Sequence, residues 1–149
     1  VATVADDALV WWVDRCLGAH IVPNALRASG MSINTYAELY PADDEVPDAW
    51  WIPEISRRGW VILTKDKSIR RNPAEIAAIR ASHARYVCLA AGGMTGDQQA
   101  ACLLEHRRTI EGVLHARRAP VIITVMRAGV RWLDGTEWRE AKRKRERSG

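Results

Sequence analysis

The chain has 149 residues, 48% of them hydrophobic, which fits one folded domain with a substantial core and excludes disorder of the whole chain. No apolar run approaches the roughly 20 residues that a membrane-spanning helix requires. The acidic start of the sequence lacks the basic and then apolar pattern of a secretory signal, so we expect a cytoplasmic protein with no membrane contact.

The formal net charge of +4 at pH 7 is concentrated at the end of the sequence. Residues 139–149 hold six basic and two acidic side chains, so basic and acidic side chains are equal in number in the preceding residues. A basic tail is typical of nucleic-acid binding, and equally of a solvated helix end. The three cysteines show no paired spacing, which argues against structural disulfides. Cys16 is interpreted as a small apolar side chain rather than a thiol nucleophile.

The first third of the sequence predicts two strands and two helices. In chain order these are a strand over residues 9–13, a helix over 22–29, a strand over 31–35 and, after an acidic loop over 36–47, a helix from Asp48 to Arg58. Pro23 near the start of the first helix and Gly30 just past its end are typical helix boundaries. Asp48 is the expected N-cap of the second helix.

The rest of the sequence predicts strands and helices in alternation. Their order is a strand over 59–66, a helix over 73–81, a strand over 85–89, a long helix over 95–115, a strand over 120–126 and a short strand over 130–133. Asn72 is the expected N-cap of the first of these helices, and Thr95 with Gln98 has the spacing of a capping box. The tail from Glu137 has helical composition.

This alternation predicts an α/β fold with a mostly parallel central sheet and helices on both faces. No internal repeat or linker divides the sequence. The one predicted boundary lies near Asp134 and separates a domain over residues 1–134 from a basic C-terminal tail over residues 135–149.

Acidic residues follow two of the predicted strands at the point where each strand ends. Asp14 follows the first strand, Asp66 ends the strand over 59–66, and Asp48 begins the helix that leads into it. Ligands of open α/β sheets bind at the carboxyl ends of the strands. Carboxylates packed together repel unless a cation neutralises them, and Mg²⁺ or Mn²⁺ suits oxygen ligands. We therefore predict a metal site formed by Asp14, Asp48 and Asp66, to which Ser68 could add an oxygen ligand.

Basic residues surround this predicted site in the sequence. They are Arg57, Arg58, Lys65, Lys67, Arg70 and Arg71. A metal that activates water, with cations that hold a phosphate backbone, is what phosphodiester chemistry requires. The alternatives are that these cations form a solvated surface balancing the acids of residues 38–54, that Asp48 is only a helix cap, and that Asp14 only begins a turn.

Other standard motifs are missing from the sequence. No glycine-rich phosphate loop is present, and the four histidines lack zinc-ligand spacing. The pairs Trp11-Trp12 and Trp50-Trp51 could stack on bases, but core and helix packing is the favoured interpretation.

Four segments of the sequence resemble the PIN-like domain of VapC-type toxins. They are residues 13–18, 23–30, 47–52 and 58–71, and the Thr-Lys-Asp block at 64–66 is the most specific of them. The resemblance runs in order from about Leu9 to Leu89. It implies a PIN-like three-layer α/β/α sandwich and an Mg²⁺- or Mn²⁺-dependent endoribonuclease, the toxin of a type II toxin–antitoxin pair. An RNA substrate, an antitoxin partner and a homodimer are implied with it.

The resemblance also assigns roles to individual residues. Its acidic positions fall on Asp14, Asp48 and Asp66, and accessory places fall on Glu54 and Ser68. The RNA backbone would be bound by Arg15, Lys65, Lys67, Arg70 and Arg71. The sequence departs from the family at Arg15, where related groups often carry a second acid, and at Ser68, where many members carry a fourth.

Two other functions compete with the ribonuclease. The departures at Arg15 and Ser68 motivate a catalytically inert PIN-like module that binds nucleic acid or a protein partner. A phosphoacceptor receiver-like domain also places Asp residues and a Lys at strand ends. It is disfavoured because the Asp6-Asp7 pair precedes the first strand and Met126-Arg127 follows the strand where a Lys is expected.

Overall fold

The structure is a computed structural model that describes residues 8–41, 45–65, 72–135 and 137–142. Its strands are β1 Val10–Val13, β2 Ser32–Thr35, β3 Val61–Lys65, β4 Arg85–Leu89, β5 Val121–Met126, β6 Gly129–Leu133 and β7 Trp138–Lys142. Its helices are α1 Ile21–Ala28, α2 Tyr36–Leu39, α3 Asp48–Arg57, α4 Pro73–Ala81, α5 Gly96–Glu105 and α6 Arg107–Ala116, with a 3₁₀ turn at Arg15–Leu17.

The strands form one sheet in the order β2-β1-β3-β4-β5-β6-β7. The first five strands in this order pair in parallel, and β6 and β7 are added as antiparallel strands at one side. Parallel neighbours need long crossover connections, which the helices between them supply. The predicted mostly parallel sheet is confirmed.

Two hydrophobic clusters cover the two faces of this sheet. Side chains alternate between faces along a strand, so Trp11 and Val13 of β1 point to one face and Trp12 to the other. The first face packs against α1, α5 and α6. The second packs against α3 and α4. The predicted three-layer α/β/α arrangement is therefore confirmed, and α3 lies on the same side of β1 as Trp12.

Several local predictions are confirmed by side-chain hydrogen bonds. Asn72 caps α4 by accepting a bond from the amide of Glu75 at 3.2 Å. Thr95 and Gln98 form the predicted capping box at the start of α5. These caps satisfy amides that the first helical turn leaves without intrahelical partners.

The segment between β2 and α3 differs from the prediction. Part of the predicted acidic loop is helix α2, because Thr35 and Glu38 form a capping box that the sequence interpretation missed. Asp48 is the first residue of α3, and Pro47 is its N-cap, so the predicted capping role of Asp48 is wrong. The Asp48 carboxylate bonds instead to a side chain, as described below.

Two further predictions are wrong in the last third of the chain. The long helix is interrupted at His106, whose buried ring lies 3.1 Å from the carbonyl oxygen of Arg127. The tail is strand rather than helix over residues 138–142, because β7 pairs with β6 and Trp138 packs on the second hydrophobic cluster. An ion pair of 3.0 Å between Arg131 and Glu140 joins these two strands. Helical composition is a weak signal that such tertiary contacts override.

Within the described ranges, no helix has the length and apolar character needed to cross a membrane.

Candidate active site

The candidate site lies beside β1, at the point where the chain stops adding strands on one side of the sheet and begins to add them on the other. Strand β1 lies between β2 and β3, so the chain leaves β1 to one side and later returns to the other. In open α/β sheets, this switch point at the carboxyl ends of the strands is the usual place for a ligand. Asp14 follows β1 there, and its amide donates a hydrogen bond to the carbonyl of Leu63 at 2.9 Å.

The register of β1 and β3 brings Asp14 beside Thr64. Trp12 is opposite Ile62, and Val13 is opposite Leu63. Asp14 and Thr64 are the next pair, and both share the face of Trp12 because side chains alternate along a strand. That face is the one covered by α3.

Three donors hold the Asp14 carboxylate in place. The hydroxyl of Thr64 donates to Oδ2 at 3.0 Å, and the amide of Arg15 donates to Oδ1 at 2.7 Å. The thiol of Cys16 also donates to Oδ2, at 3.4 Å. Thr64 is buried, so its hydroxyl anchors the carboxylate from the core side of the site.

The pKa of Asp14 is raised above its ordinary value, chiefly because burial removes water from the carboxylate. The hydrogen bonds from Thr64, Cys16 and Arg15 act in the opposite direction. The negative charge of Asp48 raises the pKa of Asp14 further. A cation bound at Asp14 would neutralise this negative charge.

Asp48 is in the first turn of α3. Its Oδ1 accepts a hydrogen bond of 2.9 Å from the indole Nε1–H of Trp51, three residues along the helix. Residues three apart lie on the same side of a helix, so Asp48 is on the Trp51 side of α3, in its exposed first turn. Asp48 thus begins the helix that covers the face of the sheet on which Asp14 lies, and its role as a metal ligand stays a prediction.

The donor chemistry of this pair fits a hard divalent cation. Carboxylate oxygens are the ligands that Mg²⁺ and Mn²⁺ prefer. No cluster of three His, Cys, Asp or Glu side chains suited to a metal occurs in the described part of the chain. The predicted ligands Asp66 and Ser68 lie outside the described residues.

Several predicted RNA-binding residues also lie outside the described residues: Lys67, Arg70 and Arg71. Lys65 is the last residue of β3, and its amide donates to the Cys16 sulfur at 3.3 Å. It therefore lies at the carboxyl edge beside Asp14. The half-exposed Arg15 follows Asp14 directly, with its guanidinium 5.7 Å from the centre of the Tyr36 ring and 3.8 Å from Glu45.

Arg57 and Arg58 do not flank the site, contrary to the prediction. They come at the far end of α3 from Asp48, about 15 Å along a ten-residue helix. Both form ion pairs with Glu54, at 3.1 and 3.0 Å. The hydrogen bond from Arg58, and to a smaller extent that from Arg57, lowers the pKa of Glu54. Glu54 is thus paired with its own helix rather than with the carboxylates.

Cys16 contacts the site, and its surroundings disfavour the thiolate form. Its sulfur lies 3.3 Å from the Thr64 hydroxyl as well as 3.4 Å from Asp14. Burial of the sulfur, and then the charge of Asp14, raise the pKa of the Cys16 thiol to about 11. The group is a protonated thiol at neutral pH, and only the thiolate is a strong nucleophile.

The sequence interpretation missed Thr64 and Trp51, the two side chains that hold the carboxylates. A signal for Thr64 was available, because a polar residue at the end of an otherwise apolar strand shares the face of Ile62. The predicted core packing of tryptophans is confirmed for Trp11, Trp12 and Trp51. It is wrong for Trp50, whose side chain is 74% exposed in the first turn of α3.

Comparisons with known proteins match the part of the chain that contains this site. The family described as "PIN like domain" matches residues 10–91. A protein of Mycobacterium tuberculosis named "Putative ribonuclease VapC45" is 32% identical over 111 residues, which cover 73% of this chain and 78% of that protein. No solved structure gave a significant match.

Proposed function

The chain belongs to the PIN-like domain family, and we propose that it is a metal-dependent endoribonuclease, the toxin of a type II toxin–antitoxin pair. The observation that carries this proposal is the Asp14 carboxylate at the switch point of the sheet, held there by Thr64 and Arg15, with Asp48 in the first turn of the helix that covers this face. The similarity to a protein named as a VapC ribonuclease supports the choice of RNA as substrate.

In the proposed mechanism, Asp14, Asp48 and Asp66 hold Mg²⁺ or Mn²⁺, and Ser68 adds an oxygen. The bound ion supplies the activation of water and the stabilisation of charge on the scissile phosphate. Thr64 keeps the Asp14 carboxylate in one orientation through its 3.0 Å hydrogen bond. Fixed ligands lower the reorganisation that the site would otherwise undergo during reaction.

Cations position the RNA backbone in this proposal. Arg15 and Lys65 are next to Asp14 at the carboxyl edge of the sheet, where they neutralise phosphate charge. Lys67, Arg70 and Arg71 extend this function along the chain. Arg15, where related groups often carry an acid, thus contributes to substrate binding rather than to the metal.

The remaining parts of the proposal concern partners. An antitoxin would cover the carboxylates and the cations beside them, and the active protein would be a cytoplasmic homodimer. The proposed division of the chain into a nuclease domain over residues 1–134 and a basic tail over 135–149 includes β7 in the tail.

The Asp66→Asn variant tests the proposed function. We expect Mn²⁺-dependent RNA cleavage by the wild-type protein and a cleavage rate at least about 100-fold lower in the variant. Mutation of a group that hydrogen-bonds to a metal ligand typically lowers activity about 10- to 100-fold, and loss of the ligand itself should lower it more. The measurement is the rate of cleavage of a labelled single-stranded RNA, with and without EDTA. Asp97→Asn is the matched control, since Asp97 is exposed on α5, across the sheet from α3. Equal cleavage by wild type and Asp66→Asn would refute the assignment.

The Thr64→Val variant tests the anchoring of Asp14. Valine keeps the shape of threonine and removes the hydroxyl, so we expect cleavage about 10- to 100-fold slower with an unchanged fold. Thr124→Val is the control, because the buried Thr124 hydroxyl has no hydrogen-bond partner in the described part of the chain. The measurements are the cleavage rate and the circular dichroism spectrum of both variants. Equal cleavage rates of Thr64→Val and Thr124→Val would show that Thr64 does not position Asp14.

A further inference from the structure

The indole of Trp51 is a rigid donor aimed at a proposed metal ligand. Its side chain is only 2% exposed, and its Nε1–H donates to Asp48 Oδ1 at 2.9 Å. The ring packs 4.7 Å, centre to centre, from the ring of Trp12, which is fully buried on β1. Asp48, in contrast, is an exposed residue at the open end of the helix. A group fixed in the core thus holds a carboxylate that faces the solvent.

Packing alone does not account for this hydrogen bond. A buried indole N–H usually finds a partner, but the neighbouring Trp12 is a counterexample in the same cluster. The Nε1–H of Trp12 is buried and has no partner among the residues that the structure describes. The two indoles of this cluster thus differ, because that of Trp12 has no partner among the described residues and that of Trp51 is bonded to a carboxylate of the candidate site.

We propose that Trp51 is a positioning residue that orients the Asp48 carboxylate for metal binding. The inference rests on the proposed function in treating Asp48 as a metal ligand. The indole donates to Oδ1 and so holds the carboxylate in one orientation, in which Oδ2 can serve as the metal ligand. Without the indole, the exposed side chain would sample several rotamers, and binding would have to overcome that conformational entropy.

The proposal explains why tryptophan, rather than another core residue, follows Asp48 by three positions. Leucine or phenylalanine would fill the space between α3 and β1 but has no donor. Outer partners of metal ligands fix ligand orientation, and their removal typically costs about 10- to 100-fold in metal affinity or activity. Trp51 combines that function with core packing, so its two contributions must be separated by experiment.

Trp51→Phe and Trp12→Phe provide the separation. Both replace a buried indole of the same cluster by a smaller aromatic ring, but only the first removes a bond to Asp48. We expect Mn²⁺ affinity, measured by calorimetry, to fall about 10- to 100-fold in Trp51→Phe and to change little in Trp12→Phe. RNA cleavage by Trp51→Phe should fall at low Mn²⁺, recover at high Mn²⁺, and keep its KM for RNA.

A double-mutant cycle shows whether Trp51 acts through Asp48. In an Asp48→Asn background, Trp51→Phe should cause no further loss of Mn²⁺ affinity, since the effect depends on the carboxylate. If Trp51→Phe does not fold, the wild-type indole N–H resonances provide the test. Addition of Mg²⁺ should shift the Trp51 resonance in the NMR spectrum and leave that of Trp12 in place.

The outcomes distinguish this inference from the proposed function. Wild-type protein that binds Mn²⁺ but cleaves no RNA would refute the ribonuclease, and the comparison of Mn²⁺ affinities would still decide the role of Trp51. Equal Mn²⁺ affinity of the two phenylalanine variants would overturn the inference. Absence of Mn²⁺ binding by the wild type, or an additive effect of Trp51→Phe on Asp48→Asn, would overturn it as well.

Discussion

Replacement of Asp14 by asparagine is expected to abolish RNA cleavage and to stabilise the metal-free protein. Asparagine keeps an oxygen that can accept from the Arg15 amide, and its NH2 group, in the place of Oδ2, can donate to the Thr64 hydroxyl oxygen, but it has no charge to hold a cation. We expect cleavage to fall by at least about 100-fold, because removal of a ligand should cost more than the 10- to 100-fold typical of its outer partners.

The stability effect follows from the raised pKa of Asp14. Burial, with the charge of Asp48, makes the folded state bind the Asp14 proton more tightly than the unfolded state does. The free energy of unfolding therefore decreases as pH rises from the pKa of Asp14 in the unfolded chain through its higher pKa in the fold. Above that window the carboxylate is ionised and disfavours folding, whereas asparagine is neutral at every pH.

Thermal unfolding in EDTA measures this effect. At pH 7 we expect the Tm of Asp14→Asn to exceed that of the wild type by roughly 2–4 °C, which corresponds to about 1 kcal/mol for a chain of this size. The difference should disappear in acid, below the pKa of Asp14 in the unfolded chain, where both side chains are neutral. A variant that is less stable than the wild type at pH 7 would show that the hydrogen bonds of the carboxylate outweigh its burial.

Replacement of Trp12 by alanine is expected to have the largest effect on stability. Trp12 is fully buried and packs against the rings of Trp51, Tyr36 and Tyr40 at 4.7, 5.8 and 6.5 Å. Removal of such a side chain leaves a cavity, and a Trp→Ala change in a core costs about 3–5 kcal/mol. This is a large share of the roughly 5–15 kcal/mol that stabilises a typical domain.

Urea denaturation monitored by circular dichroism tests this prediction, with Trp50→Ala as the control. Trp50 is 74% exposed, so its removal should change the free energy of unfolding by less than about 0.5 kcal/mol. Because Trp12 supports the ring of Trp51, we also expect Trp12→Ala to weaken Mn²⁺ binding even where it remains folded. A similar free energy of unfolding for both alanine variants would contradict the burial of Trp12.

Much of the architecture follows from local features of the sequence. The apolar strands around Trp12, Ile62 and Val87 were predictable because a buried parallel strand is a short run of β-branched and aromatic residues. The caps at Asn72 and Thr95 were predictable because each involves only neighbours within one turn. The same reasoning failed at Thr35, whose capping box with Glu38 also has the standard spacing and was overlooked.

The sequence by itself determined the α/β class and placed Asp14 at the end of a strand, because side-chain periodicity and strand boundaries are properties of short segments. Only the tertiary structure decided that β1 lies between β2 and β3, that Thr64 and Trp51 hold the two carboxylates, and that part of the tail is β7. These features join residues that are distant in the chain or depend on which face of a helix meets the sheet. A local pattern such as the polar Thr64 at the end of an apolar strand can mark a position, but the free energy that fixes these features comes from packing and hydrogen bonds that form only when the layers meet.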